Sequence, residues 1–541
     1  MMKLAIAQIN PTVGDIAGNA AKILDYYQRA RLQGAELIIC PELSLIGYPP
    51  EDLILMPAFR REAMQAVEKL AAKTAGGPAL IVGSPWEENG LIYNAAILLD
   101  GGKIVHVQPK TILPNYGIFD EKRIFAEGSG PKVVQWRNHR LGLLICEDIW
   151  ADHLSLDLKK QGAELLIVIN ASPFESGKLQ QRKEVAARAV KASGLPLIYV
   201  NTVGGQDDIV FDGGSFMMAA DAQVVYQLPE FEEVLVVYCH PAGREASAQD
   251  LTRSCASLPL AQDDRLWQAM CLGLGDYGRK NGFSGVVLGL SGGIDSALSA
   301  AVAVDALGAA NVKGVLLPSP YTAKESIEDA LESARLLGIK TMSVPITPGM
   351  EIFEEVLSPV FKKTDWMEDV TVGGNVQSRL RGMTLMAISN RFGWLLLSTG
   401  NKSEIAVGYS TLYGDSCGGY NVLKDVYKTQ VYTLAQWRNE KKRVIPQHSI
   451  TKAPSAELAP GQKDEDQLPP YALLDRILAL HLEGRQSAEE IIAQGFDKAT
   501  VEKVVKLVRQ SEYKRRQSCP GVKLSPMLFG RDRRFPLTNK F

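Results

Sequence analysis

Two groups of residues in this chain have types and spacings that suit covalent chemistry. Cys146 ends the apolar run RLGLLICEDIW, Glu42 ends that of IICPELSLIGYPP, and Lys110 lies in PKTILPNYGIFDEKRIF. A thiol needs a base to become a thiolate and a cation to stabilise the negative charge that develops on its substrate. Glu42 supplies the base and Lys110 the cation for a tetrahedral oxyanion. Together with Cys146 they specify acyl transfer through a thioester, without histidine. The second group is in FSGVVLGLSGGIDSALSAAVAVDALG. An apolar strand there, ending in Gly289 and Leu290, runs into Ser291-Gly292-Gly293, and a helix opens at about Ile294. Glycines let the backbone approach an anion closely, and helix N-terminal amides bind it. Asp295 would repel phosphate unless it holds Mg2+, which bridges to phosphate oxygens. Ser291 and Ser296 add hydroxyl donors. Both groups have an ordinary reading as well: a strand cysteine is usually core, and a serine-capped glycine turn explains the glycines, though not the whole pattern.

Strands and helices must bring these residues together. Strand candidates in the first part span 4–9, 36–40, 79–82, 95–99, 141–146, 164–170, 195–201, 215–219 and 234–238, with helices near 18–33, 58–74 and 177–193. Helices between strands predict α/β layers, with charged strand ends at the rim of a sheet. Residues 241–262 are polar, small and aperiodic and read as a linker between domains over 1–240 and 263–541. Past it the alternation resumes: helix 264–280, strand 284–290, helix 295–308, strand 312–317, helix 323–338 and strand 340–345. A helix near 376–392, a strand at 394–398, a Pro-rich ordered loop at 445–470 and helical pieces in 471–513 follow. The glycines of GLGDYG (Gly273, Gly275, Gly278) end a helix and precede a strand, the reverse of a dinucleotide fingerprint.

Composition narrows the function further. The chain has 541 residues, 46 % of them hydrophobic and 22 % charged, as soluble globular proteins do. Its 59 basic and 61 acidic residues leave a net charge of -2, which gives no electrostatic case for nucleic-acid binding. No apolar run reaches the roughly 18 residues of a membrane helix, and the N-terminal run is broken before it forms a signal peptide. Seven cysteines, an odd count without a CxxC, form neither a disulfide framework nor a zinc knuckle. A reducing cytoplasm is the expected compartment. The basic residues Lys514, Arg515, Arg516, Lys523, Arg531, Arg533 and Arg534 read either as a solvated face or as a site for a small anion.

The Glu42, Lys110 and Cys146 segments resemble the carbon–nitrogen hydrolase (nitrilase) superfamily over roughly residues 1–240. The resemblance implies an αββα sandwich and amide or nitrile hydrolysis, with Glu121 as an additional acidic residue. In members that act on glutamine it implies Tyr116, Ser172 and Lys178 as substrate-binding positions; an aromatic lid and a surface charge are the alternatives for Tyr116 and Lys178. SGGIDS resembles the PP-loop of the ATP pyrophosphatases, implying a doubly wound parallel sheet and an ATP site over Gly289, Leu290, Ser291, Gly292, Gly293, Ile294, Asp295, Ser296 and Thr399. Glu404 is then a second Mg2+ ligand, or alternatively part of a helix cap begun by Thr399 or Ser403. STGNKSE, LYGD, KDVYKTQVY, APSAELAP, LPPY and EYKRRQ…FGRDRRFPLTN, with the fusion itself, make the whole chain similar to the family of glutamine-dependent NAD+ synthetases. That resemblance implies ATP-dependent amidation of deamido-NAD+, with Asn375, Glu404 and Lys514 as dinucleotide contacts. It also implies a sheltered route for ammonia. The partners expected are these small molecules and further copies of the chain, with no nucleic acid and no membrane. A PP-loop amidotransferase acting on a purine nucleotide or aspartate, and a nucleotide-binding scaffold without catalysis, are the other classes considered.

Overall fold

Alternation along the N-terminal strands sets the layers of the first unit. In the computed structural model, which describes residues 2–240, 260–361, 366–369, 371–459 and 461–538, the strand Met2–Gln8 sends Leu4 and Ile6 into one buried cluster and Ala5 and Ala7 into another. The strand Leu165–Asn170 does the same, with Leu165, Ile167 and Ile169 on the side shared with Leu4 and Ile6. Its Leu166 and Val168 pack instead on Val185, Ala186 and Ala189 of the helix Lys178–Ser193. Ala5 and Ala7 lie with Ile23, Tyr27, Val67 and Leu70 of the helices Ile16–Leu32 and Pro57–Lys73. The layers therefore run helix, sheet, sheet, helix, the αββα sandwich that the resemblance implied. Strands covered on both faces are apolar at nearly every position, which is why they stood out in the sequence.

The chain divides into two compact units, Met1–Leu260 and Ala261–Phe541. In the first, one sheet of six strands has the order Val234–His240, Met2–Gln8, Leu37–Ile39, Ala79–Glu88, Leu91–Asp100, Lys103–Pro109. The other has Val224–Gln227, Phe216–Met218, Leu197–Asn201, Leu165–Asn170, His139–Ile145, Val133–Trp136. Sequence reading omitted Lys103–Pro109, Val133–Trp136 and Val224–Gln227, and all three are sheet edges. An edge strand meets solvent and does not need a continuous apolar run. It also omitted the helix Asp152–Lys160 and the hairpin of Val203–Gln206 with Ile209–Asp212.

The second unit is built on five strands in the order Lys340–Ser343, Val312–Leu316, Val286–Gly289, Leu395–Ser398, Tyr420–Asn421, all paired in parallel. Chain order reverses between Val286–Gly289 and Leu395–Ser398. In a doubly wound sheet that is where a crevice opens beyond the strand ends, and the two strands lead into SGGIDS and into Thr399–Glu404. Residues 241–259 of the expected linker lie outside the described residues, and Gln262 already begins the helix Gln262–Lys280, which contains GLGDYG. The expected loop at 445–470 holds a short helix, Gln447–Thr451, and a turn, Asp464–Asp466. Among the described residues no helix is long and apolar enough to cross a membrane, and no cysteine is in a disulfide.

Candidate active sites

Glu42, Lys110, Glu121 and Cys146 converge inside the first unit. Lys110 follows the edge strand Lys103–Pro109 and is fully buried; its Nζ donates to Glu42 Oε1 at 2.8 Å and to Glu121 Oε1 at 2.7 Å. Glu42 also accepts from Asn94 Nδ2 at 2.7 Å and from the Ala171 amide at 2.8 Å. Gly83 makes room for this turn, since a Cβ there would lie 2.3 Å from the Leu43 nitrogen. Tyr48 donates to Glu121 Oε1 at 2.9 Å. Burial works against the charge of Lys110, but Glu121 and Glu42 outweigh it and hold the ammonium well above its ordinary range. Cys146 does not continue the strand His139–Ile145; it opens the short turn Cys146–Trp150 with φ of +47°. Burial and the charge of Glu42 push its thiol up, and Lys110 opposes them. The sulfur therefore carries its proton at rest and must lose it as it attacks, a transfer that needs a nearby base.

The other residues expected at this site lie on surrounding loops. Tyr116 is exposed and donates to Glu147. Lys178 starts the helix Lys178–Ser193, with its ammonium 5.0 Å from the Trp150 ring centre and its pKa lowered by burial. Both lie close enough to Cys146 to interact with it electrostatically. Ser172 is buried, and a residue that the sequence reading missed holds it. Arg182 donates to Ser172 Oγ at 3.0 Å and to the carbonyls of Ser172 and Pro173, and it pairs with Asp212 at 2.8 Å. A signal was present: Arg182 lies in the apolar stripe Leu179, Val185, Ala186, Ala189 of its helix, where a charge requires a partner.

The C-terminal unit encloses a cavity of about 510 Å3 at the strand switch. Gly289, Leu290, Ser291, Gly293, Ile294, Asp295, Ser296 and Thr399 line it, as do Asn375, Glu404 and Lys514. Gly292 sits behind them with φ of +81°, and a Cβ there would lie 2.2 Å from the Ser326 carbonyl oxygen. The loop can therefore make this turn only with glycine. Ser449 Oγ bonds the Gly292 carbonyl, and Ser291 and Ser296 hydroxyls lie 3.1 Å apart. Thr411 donates to Asn375 Oδ1 at 2.7 Å. Lys514 is directed at the Gly408 and Ser410 carbonyls, 2.7 and 2.6 Å away, so it fixes a loop of the cavity wall. Much of the basic tail is internally paired: Arg515, Arg516 and Arg533 with Glu512, and Lys523 with Asp532.

Asp295 and Glu404 meet at the buried ammonium of Lys428, which pairs with Asp295 and lies 3.4 Å from Glu404 Oε1. Asn401 bridges them, donating its side chain to Asp295 at 3.0 Å and its backbone N–H to Glu404 Oε2 at 3.3 Å. The cap of the helix Lys402–Val407 is thus Asn401, not Thr399 or Ser403, and Glu404 serves both the cap and the cavity. Burial and the charge of Asp295 push the Glu404 carboxyl up to about 8, against the pull of Lys428. Sharing one ammonium between them, the two carboxylates present hard oxygen donors that suit Mg2+, with water and phosphate as its remaining ligands. Among the described residues no cluster of three or more His, Cys, Asp or Glu side chains is placed to hold a metal. Lys428 had no assigned role in the sequence, since 133 residues separate it from Asp295.

Comparison with known proteins agrees with this division. A carbon–nitrogen hydrolase model matches residues 3–248, and an NAD synthase model matches residues 266–518. Glutamine-dependent NAD(+) synthetases of Synechocystis sp. and Rhodobacter capsulatus are 44 % and 46 % identical to the chain over all of its length, and over 99 % and 98 % of theirs. The solved structure of such a synthetase from Acinetobacter baumannii, in complex with ADP, is 41 % identical with a TM-score of 0.78, covering 99 % of this chain and 98 % of that one. A synthetase from Cytophaga hutchinsonii, 22 % identical over 99 % and 98 % of the two chains, shares the fold with a TM-score of 0.85. With such identity along the whole of both sequences, the chain belongs to the family of glutamine-dependent NAD+ synthetases.

Proposed function

We propose that this chain converts deamido-NAD+ to NAD+ with ATP, taking nitrogen from glutamine and releasing AMP, diphosphate and glutamate. The observation that carries the reading is the presence, in one chain, of a buried Glu42–Lys110–Cys146 set and of a glycine-loop cavity edged by Asp295 and Glu404. Kinship to the synthetases supports the substrates.

In the first unit glutamine binds against Tyr116, Ser172 and Lys178. Glu42 takes the thiol proton as Cys146 attacks the side-chain amide carbon. Lys110 stabilises the oxyanion, which in a buried site is worth far more than in water. Glu42 returns the proton to the amide nitrogen, ammonia departs, and water cleaves the thioester to glutamate. In the second unit the amides and hydroxyls of residues 289–296 cradle ATP, with Thr399 at the same rim. Asp295 and Glu404 would hold Mg2+, which neutralises phosphate charge when bound. The dinucleotide lies toward Asn375, Glu404 and Lys514. Its nicotinate carboxylate attacks the α-phosphate, diphosphate leaves, and ammonia displaces AMP from the acyl-adenylate. Ammonium is not a nucleophile, so the nitrogen is passed on without equilibrating with the medium. Amide-labelled glutamine in excess unlabelled ammonium should give labelled NAD+; full dilution of the label contradicts this step.

Two further tests separate the reading from its neighbours. Offered deamido-NAD+, xanthosine monophosphate and aspartate in turn, the chain should form AMP only with the first. Lys178→Ala should raise the KM for glutamine about tenfold or more, the worth of one charged hydrogen bond, and leave ammonia-driven synthesis unchanged. An unaltered KM returns Lys178 to the role of a surface charge.

A further inference from the structure

Asp148 has no part in the chemistry above, yet it touches the chain on both sides of it. Its Oδ1 accepts the backbone N–H groups of Thr111 and Ile112, at 3.0 and 2.8 Å, directly after Lys110. Its Oδ2 accepts the N–H of Ile145, at 3.1 Å, directly before Cys146. The side chain is only 1 % exposed. A helix-capping role accounts for the Ile145 bond, since Asp148 stands in the first turn of the segment Cys146–Trp150. Capping does not account for the two bonds to a segment 36 and 37 residues away.

We infer that Asp148 is a positioning residue, which sets the distance between the Lys110 ammonium and the Cys146 sulfur by holding the backbone next to each with one carboxylate. Three features support this. The ladder between His139–Ile145 and Leu165–Asn170 ends at the pair Ile145 and Ile169, so Cys146 is the first residue that sheet pairing no longer fixes. Cys146 also adopts a φ of +47°, a conformation that L-residues hold only when their surroundings enforce it. The retained carboxylate is itself costly: burial pushes its pKa up to about 7 despite the three N–H bonds. The inference rests on reading this site as a glutamine amidase.

Only a group with two acceptor oxygens can do this. In Asp148→Asn one oxygen becomes an NH2 donor, so either the Lys110 side or the Cys146 side faces it with an N–H and is released. A shift of about 1 Å in a reacting group costs about a hundredfold in rate. In the full chain, Asp148→Asn should therefore lower kcat for glutamine hydrolysis by roughly tenfold to a hundredfold. The KM for glutamine should change less than kcat, because Ser172 and Lys178 are on other segments and only Tyr116 follows Lys110. Ammonia-driven synthesis should be unchanged. Asp148→Glu keeps the charge but displaces the carboxylate by one methylene, and it should show the same split. Wild-type kcat in either variant overturns the inference, as does a loss carried by KM alone. Recovery of neither variant as folded protein also overturns it, since Asp148 would then serve stability and not position. A wild-type chain that releases no glutamate from glutamine refutes instead the amidase reading underneath.

Discussion

Cys146→Ala is expected to abolish glutamine-driven NAD+ formation while synthesis from added ammonium proceeds at the wild-type rate. Loss of a covalent nucleophile costs at least roughly a thousandfold, and nothing else at the site has a thiol to substitute. Cys146 is also the residue whose removal disturbs the site least. Deleting Lys110 would leave Glu42 and Glu121, both buried and both bonded to its ammonium, without a counter-charge. Breaking a buried pair in this way costs about 3–5 kcal/mol of stability, and lost activity would then be confounded with unfolding. An alanine at 146 leaves that ion network intact. Steady-state rates with glutamine and with ammonium chloride provide the check. Loss of both activities together would contradict two separable sites.

Asp295→Ala should have the complementary effect: synthesis falls by at least about a hundredfold with either nitrogen donor, while glutamate release from glutamine persists. Asp295 lines the cavity beside the glycine loop and shares Lys428 with Glu404. Without it one of two carboxylates for Mg2+ is gone, and the Lys428 ammonium is free to compete for phosphate in an altered position. The measurement is AMP formation against deamido-NAD+ at saturating ATP, repeated at raised Mg2+. Near wild-type turnover with ammonium would remove Asp295 from the metal's ligands.

The sequence made the reactive residues legible where a charge or a thiol ends an apolar strand. Glu42, Cys146 and SGGIDS stand out for that reason, since a buried strand tolerates such groups only at its ends. Lys110 was assigned as the cation that the thiol chemistry needs, without the strand that delivers it: Lys103–Pro109 is an edge whose half-exposed side chains form no apolar run. Lys428 and Arg182 escaped because their meaning depends on partners that only the fold supplies, Asp295 and Glu404 for one and Ser172 and Asp212 for the other. Lys514 shows the same dependence on the fold. A basic run suggests an anion, and the fold gives this ammonium two backbone carbonyls at the wall of the cavity as well. Charge in a sequence says that a partner is needed, without saying whether that partner is a substrate or the chain itself.

The central claim is that a thiol amidase and an adenylating ligase act in series on one chain. Its most direct test is a product inventory from purified protein with ATP, Mg2+, deamido-NAD+ and glutamine as the sole nitrogen source. NAD+ and AMP should appear in equal amounts, with at least as much glutamate, and omission of glutamine should stop NAD+ formation. ADP and phosphate in place of AMP and diphosphate, or glutamate released with no NAD+ formed, would contradict the account.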